Sequence, residues 1–205
     1  MTAFITRCLK SINLLVLLVG LALVPLISRA ESIEVRRAEA EMTSDGQLSL
    51  STRFGLRLPA TLSQALAQGV VLNFRLEFEL TRPRLTAYRL KLGSWFDPTA
   101  SIDFKLSYHS LTNRYRVSIG SLANHYATLN EALNATGAIT GWRVLDSGTL
   151  DGLKPGDVAG RVRLMLDFGE LPKPFQFNAL GSSDWALSSG WADLTILPAH
   201  PAGAG

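Results

Sequence analysis

Three histidines, His109, His125 and His200, are the side chains best suited to acid–base or metal chemistry in this 205-residue chain. No two of them lie two, three or four positions apart, which is the spacing that local zinc motifs use. The sequence also contains no Gly-x-Ser-x-Gly elbow, no Ser-x-x-Lys motif and no glycine-rich phosphate-binding loop. We therefore predict no catalytic residue, no metal site and no cofactor, and we expect a protein that is not an enzyme.

Scattered carboxylates leave one enzymatic alternative open, an envelope hydrolase that uses aspartate and histidine. Asp103, Asp167 and His109 would then have to meet in one pocket, because acid–base catalysis needs groups within hydrogen-bonding reach. Asp167 lies just before Gly169 at the end of a predicted strand, where an aspartate that caps a turn is the simpler explanation. We therefore rank this alternative below a binding function.

Two pairs of arginines have a spacing suited to binding an anion. Arg114 and Arg116 alternate along one predicted strand, and Arg161 and Arg163 alternate along another, so each pair shares one face. If the two strands are neighbours, four guanidinium groups form a basic patch for a lipid head group, a polysaccharide or an acidic protein surface. The alternative is a solvent-exposed face whose arginines are balanced by acidic residues, namely Glu77, Glu79 and Asp103.

Residues 1–30 have the organisation of a secretory signal. Arg7 and Lys10 precede an apolar run from Ile12 to Ile27, and Ser28-Arg29-Ala30 places small residues where a signal peptidase cleaves. We expect cleavage after Ala30 and a periplasmic or otherwise exported protein. The alternative is an uncleaved anchor in the inner membrane, in which case residues 12–27 would make the only membrane contact.

Cys8 is the only cysteine and lies within that segment, so residues 31–205 have no thiol for disulfides, metal sites or nucleophilic catalysis. The same segment contains three basic residues and no acidic residue. The remaining chain therefore has 20 − 3 = 17 basic residues against 17 acidic residues. Its formal neutrality gives no argument for binding nucleic acid.

Residues 31–197 alternate between apolar and polar side chains over most of their length, which predicts β-strands with one buried face. Leu48–Leu56 and Leu72–Leu80 have this pattern most clearly. Ile33–Met42 carries mixed charges and is typical of an edge strand, paired in a hairpin with Leu48–Leu56 across Asp45-Gly46. Further extended segments are predicted at Ile102–Tyr108, Tyr115–Ile119, Gly141–Leu145, Arg161–Phe168 and Phe175–Leu180, with a closing hairpin from Trp185 to Ile196.

Two short helices are expected to interrupt the strands. Thr61–Leu66 and Thr128–Leu133 each begin with threonine and have Gln or Glu three residues later, the pattern of a capping box. Gly69 and Gly137 follow them, and each could end its helix in the left-handed conformation. We therefore predict a mostly β, single-domain β-sandwich, immunoglobulin-like or related, with two short helices after the signal segment and a disordered tail at residues 198–205.

Three blocks of sequence are distinctive. They are Leu58-Pro59 with Ala65-Leu66 and Gly69-Val70, then Leu106–Val117, and finally Leu166-Asp167 with Leu171–Gln176, Trp185 and Ser189. Together they resemble an exported proteobacterial family, DUF4390, which is defined only as a domain of unknown function. The resemblance implies export, a single domain and a periplasmic accessory role beside a membrane sensor kinase, and it supplies no catalytic residue.

These observations favour a non-catalytic periplasmic or envelope domain that acts as a binding module. We expect its partner to be an envelope protein or an anionic envelope component, and we expect no nucleic acid. The predicted binding residues are the four strand-face arginines, Arg114, Arg116, Arg161 and Arg163. A lipid carrier, with the interior of the sandwich opened as a cavity, is the first alternative.

Overall fold

Two β-sheets form the body of the protein in a computed structural model that describes residues 33–82, 99–179 and 185–198. The elements in these ranges are β1 (Ile33–Met42), β2 (Leu48–Leu56), α1 (Ala60–Ala67), β3 (Leu72–Arg82), β4 (Thr99–His109), β5 (Arg114–Ile119), β6 (Leu122–Tyr126), α2 (Leu129–Thr136), β7 (Ala138–Arg143), β8 (Ala159–Leu166), α3 (Lys173–Ala179), β9 (Ala192–Asp193) and β10 (Thr195–Leu197). The expected signal segment, and the expected tail beyond Pro198, lie outside the described residues.

In the described part of the chain, one sheet has the strand order β10-β1-β2-β7 and the other has the order β6-β5-β4-β3-β8-β9. Neighbouring strands run antiparallel except β1 and β10, which run parallel. The hairpins β1–β2 and β4–β5 were predicted from the sequence and are confirmed. The predicted β-sandwich is also confirmed, because the two sheets share one hydrophobic core.

Strand β3 contributes most directly to that core. Leu72, Phe74, Leu76 and Phe78 are each at most 1% exposed, because successive side chains of a strand point to opposite faces. Their neighbours in the core come from both sheets: Leu48, Leu50 and Phe54 on β2, Phe104 and Leu106 on β4, and Val162, Leu164 and Leu166 on β8. The described interior is therefore a continuous cluster of side chains, which gives no support to the opened cavity of a lipid carrier.

The two predicted helices connect the sheets. Helix α1 leads from β2 in the first sheet to β3 in the second, and α2 leads from β6 in the second sheet back to β7 in the first. Each buries a small apolar face, with Leu62 and Leu66 on α1 and Ala132 and Leu133 on α2. Helices of this length are not stable alone, so packing against the core holds them.

The capping box was predicted for both helices, and only the one at Thr128 forms. The Thr128 hydroxyl accepts from the Glu131 N–H at 3.2 Å, and the Glu131 carboxylate accepts from the Thr128 N–H at 3.3 Å. The prediction is wrong for Thr61, because α1 begins at Ala60 with Pro59 at the N-cap position. Thr61 is thus already inside the helix, where its hydroxyl cannot act as a cap.

The two glycines also end their helices differently. Gly69 has a φ of +88°, and the Val70 N–H donates to the Ala65 carbonyl at 3.0 Å, as in a Schellman motif. Gly137 has a φ of −84°, so the predicted left-handed conformation is wrong there. Glycine is needed at Gly137 because a Cβ atom would collide with the carbonyl oxygen of Phe54.

The predicted edge position of β1 is wrong. Its residues Glu39–Glu41 pair in parallel with β10 near the end of the chain. The closing hairpin predicted from Trp185 to Ile196 is also wrong, because β9 pairs with β8 in one sheet and β10 pairs with β1 in the other. The C-terminal segment therefore passes from one sheet to the other, and this links the two layers.

A third short helix, α3, replaces the extended segment predicted at Phe175–Leu180. The Phe175 ring lies 5.8 Å from the Trp185 ring, and the Gln176 side chain donates to the carbonyls of Gly169 and Leu171, at 2.8 Å each. Pro174 is compatible with a first helical turn, whose N–H groups have no partners within the helix. No helix in the three described ranges is both long and apolar enough to cross a bilayer.

Replacing Thr128 by alanine should lower the free energy of unfolding by about 1 kcal/mol, because the Glu131 N–H loses the hydroxyl that accepts its hydrogen bond. Thr61→Ala is the matched control and should change stability by less than about 0.5 kcal/mol. Urea denaturation of both variants gives the comparison. Equal losses at the two positions would show that the Thr128 cap has no special role.

Candidate binding surface

Five exposed side chains lie together at one end of the six-stranded sheet, around the turn that joins β4 to β5. His109, Arg114, Arg116 and His125 are on the outward face of the sheet, and Leu111 is in the turn. We call these five residues the basic hairpin. Two of the predicted binding arginines, Arg114 and Arg116, belong to it.

The strand register explains why these side chains meet. Val117 is buried in the core, so its neighbour Arg116 points outward on the opposite face of β5. His109 lies opposite Arg114 across β4 and β5, and Arg116 lies opposite His125 across β5 and β6. The two imidazole rings are 6.4 Å apart between centroids. The result is a row of nitrogen donors across three strands.

The turn at the end of this hairpin is held by specific hydrogen bonds. The Tyr108 hydroxyl donates to Asn113 Oδ1 at 2.8 Å, and the Thr112 N–H donates to the His109 carbonyl at 3.3 Å. Asn113 has a φ of +51°, a left-handed conformation that asparagine tolerates better than most residues. Beside the turn is an open groove of about 430 Å³, lined by Tyr108, His109, Ser110, Leu111, Thr112, Arg116 and His125.

Charge at the basic hairpin is not balanced. Within the described ranges, no carboxylate lies within ion-pair distance of Arg114 or Arg116. The carboxylate of Glu131, on the adjacent helix α2, accepts from the Ala127 and Thr128 N–H groups. The outward side of β1 differs, because Arg36 and Arg37 there have Glu34 and Glu39 as partners. Within the described ranges, Arg114 and Arg116 are therefore exposed cations without an ion-pair partner.

Arg161 and Arg163, the other two predicted binding residues, lie elsewhere and are neutralised. Arg161 donates from Nε and Nη2 to Oε2 of Glu79, at 2.8 and 2.7 Å, and Arg163 donates in the same way to Glu77. Both guanidinium groups also lie 4.5 Å from the centre of the Trp191 ring. These contacts match the alternative in which acidic residues balance the strand face.

The four arginines do not form one patch, because β5 and β8 are not neighbours. Strands β4 and β3 lie between them, which separates the two pairs by about 14 Å across the sheet. The two pairs are also displaced from each other along the strands. Arg116 lies opposite Ser107 of β4, whereas Arg163 lies opposite Glu77, which lies opposite Ser101 of β4. Ser101 and Ser107 are six residues apart on β4, so this displacement is about 20 Å.

The residues of the hydrolase alternative do not converge. Arg75 binds Asp103 at 2.8 Å and Asp167 at 3.0 Å, so these two carboxylates share one guanidinium. The hydrogen bond to Asp103, with the charges of both aspartates, raises the pKa of Arg75. His109 is six residues beyond Asp103 on β4, about 20 Å away. Among the described residues, no group of three His, Cys, Asp or Glu side chains could hold a metal ion.

Sequence reasoning missed Leu111, His125 and Trp191 as parts of charged surfaces. Strand β6, which carries His125, has almost no buried residue and hence no apolar alternation that could have predicted it. Trp191 was expected to pack in the core or on a sheet face, and it lies on a sheet face, where it is 37% exposed. Its position over two arginines depends on strand pairing at the end of the chain.

Comparison with known proteins identifies the class but not an individual function. The model of a family described as a domain of unknown function, DUF4390, matches residues 30–195. The chain belongs to this family. No curated protein and no solved structure matches it significantly.

The pairing of Arg163 with Glu77 should contribute less than about 1 kcal/mol, because both side chains are still partly exposed. A double-mutant cycle with Arg163→Gln and Glu77→Gln measures this coupling. The coupling should weaken as salt is raised. The Glu34–Arg36 pair is more exposed, so the same cycle should give a smaller coupling energy there. A coupling of about 3 kcal/mol that salt does not alter would contradict a solvent-accessible pair.

Proposed function

We propose that this protein is an exported, non-enzymatic accessory domain that binds an anionic envelope component, or an acidic surface of an envelope protein, through the basic hairpin. The apolar segment after Arg7 and Lys10, with Ser28-Arg29-Ala30 behind it, supports export. The absence of catalytic motifs from the sequence supports a binding function over chemistry. An accessory role beside a membrane sensor agrees with what the family resemblance implies.

One observation carries the proposal: the difference between paired and unpaired arginines on a single sheet. Arg75, Arg161 and Arg163 each bind a carboxylate of the protein itself. Arg114 and Arg116 have no such partner among the described residues, and both are exposed. An external carboxylate or phosphate would therefore gain charge-assisted hydrogen bonds there without breaking an existing ion pair.

The histidines extend the same surface. His109 and His125 flank the two arginines and can donate N–H groups to the oxygens of an anion. The domain as a whole is formally neutral, so attraction has to come from this local concentration of donors and not from net charge. Exposed charges interact over about 10 Å at moderate salt, and binding should therefore weaken as salt is raised.

The double variant Arg114→Glu/Arg116→Glu should lose its partner in pull-downs from envelope extracts at low salt, because it reverses the charge of the basic hairpin. The matched control is Arg53→Glu/Arg57→Glu, which makes the same charge change at two exposed arginines, one in β2 of the other sheet and one directly after that strand. The control should retain the partner at the wild-type level.

Equal loss of the partner in both variants would show that binding depends only on the net charge of the protein. No loss in Arg114→Glu/Arg116→Glu would contradict the proposal. Both variants are compared with the wild-type protein by circular dichroism, so that unfolding is separated from loss of binding. Retention of the partner at high salt would also contradict an electrostatic site.

A further inference from the structure

We propose that the basic hairpin docks on the surface of an anionic phospholipid bilayer, with Leu111 entering the boundary between head groups and acyl chains. This inference rests on the proposed function and names its ligand class. It does not depend on whether residues 12–27 are cleaved with the signal or kept as an anchor.

Leu111 is the first reason. This residue is 99% exposed, compared with 74% for Leu122, the next most exposed of the large hydrophobic residues described. Leu111 lies in the turn between β4 and β5, so it projects beyond the ends of both strands. A leucine in this position loses apolar contact with water only when something outside the protein covers it.

The turn presents this leucine in a fixed position. The bond from the Tyr108 hydroxyl to Asn113 and the bond from the Thr112 N–H to His109 close the turn on both sides of Leu111. Next to the turn, Tyr108 on β4 lies opposite Tyr115 on β5, and their rings are 4.9 Å apart between centroids. A turn ordered before binding loses little conformational freedom when it inserts.

The cations lie at the correct depth behind the leucine. Arg114 begins β5 directly after the turn, and Arg116 is two residues, or about 7 Å, further along the strand. With Leu111 at the boundary between head groups and acyl chains, both arginines therefore lie on the head-group side of the leucine, where the phosphates are. His109 and His125 lie on the same face and add donors at that level.

The small apolar surface favours a bilayer over a protein partner. A stable protein interface buries about 800 Å² on each partner, and its centre is usually formed by buried aromatic or arginine anchors. The basic hairpin instead offers one exposed apolar side chain, Leu111, and two guanidinium groups beside an open groove. A fluid surface can accommodate this arrangement without a complementary pocket, and its phosphates supply the opposite charge.

Vesicle flotation tests the proposal, with pure phosphatidylcholine vesicles compared with vesicles of equal parts phosphatidylglycerol and phosphatidylcholine. The protein begins at Glu31, because residues from Glu31 onward form one compact unit that contains the whole described core. Leu111→Ser is compared with Leu122→Ser, which changes an exposed leucine at the opposite end of the β5–β6 pairing. Arg114→Gln/Arg116→Gln is compared with Arg53→Gln/Arg57→Gln.

Partition should require phosphatidylglycerol and fall roughly 30-fold when both hairpin arginines are replaced. Leu111→Ser should weaken partition by about 10-fold, because it removes the inserted side chain. Leu122→Ser and Arg53→Gln/Arg57→Gln should each change partition by less than about threefold, since neither alters the docking end. Soluble glycerol phosphate should compete poorly, because it offers a head group without a bilayer.

Absence of binding to anionic vesicles would overturn the inference. Binding that depends on the arginines and is insensitive to Leu111→Ser would also overturn it, because the protein would then contact the head groups by charge alone, without insertion of the leucine. In either case the proposed function stands if Arg114→Glu/Arg116→Glu still abolishes capture from envelope extracts. Both conclusions fail together if that variant also retains its partner.

Discussion

Strand β3 has one apolar face, which is buried in the core, and one charged face, which points outward. Its inward side chains, from Leu72 to Phe78, are buried at the centre of the core, and its outward side chains alternate with them. β4 and β8 pair with it on its two sides in uninterrupted register from Phe74 to Phe78. The order of the outward charges is therefore set by which residues β4 and β8 place beside β3.

Those neighbours determine which charges are satisfied inside the protein. At the centre of the sheet, Arg75, Glu77 and Glu79 each find an opposite charge on an adjacent strand. Further out, β5 and β6 place Arg114 and Arg116 beside serine and histidine instead of carboxylates. The same sheet thus has a self-neutralised centre and a cationic end, which is the arrangement expected where an external anion binds.

Local patterns in the sequence predicted much of this fold. The alternation of Leu72 to Leu80, the two hairpins and the Thr128 capping box depend on residues close together in the chain, and all are confirmed. Non-local pairings could not be predicted, including the parallel contact of Glu39–Glu41 with β10 and the separation of Arg116 from Arg163. Strand order sets both, and a short helix such as α3 likewise depends on tertiary contacts more than on propensity. The sequence therefore identified the candidate arginines, but not which pair has no carboxylate partner among the residues that the structure describes.

Native-state hydrogen exchange tests the central role of β3 most directly. The amides of Phe74, Leu76 and Phe78 should exchange only through global unfolding, because β3 is paired on both sides and its inward face is buried. The amides of β6, an outermost strand of the described sheet, should exchange through smaller openings and hence much faster. Exchange of the β3 amides at the same rate as those of β6 would show that β3 is not the most stable part of the sheet.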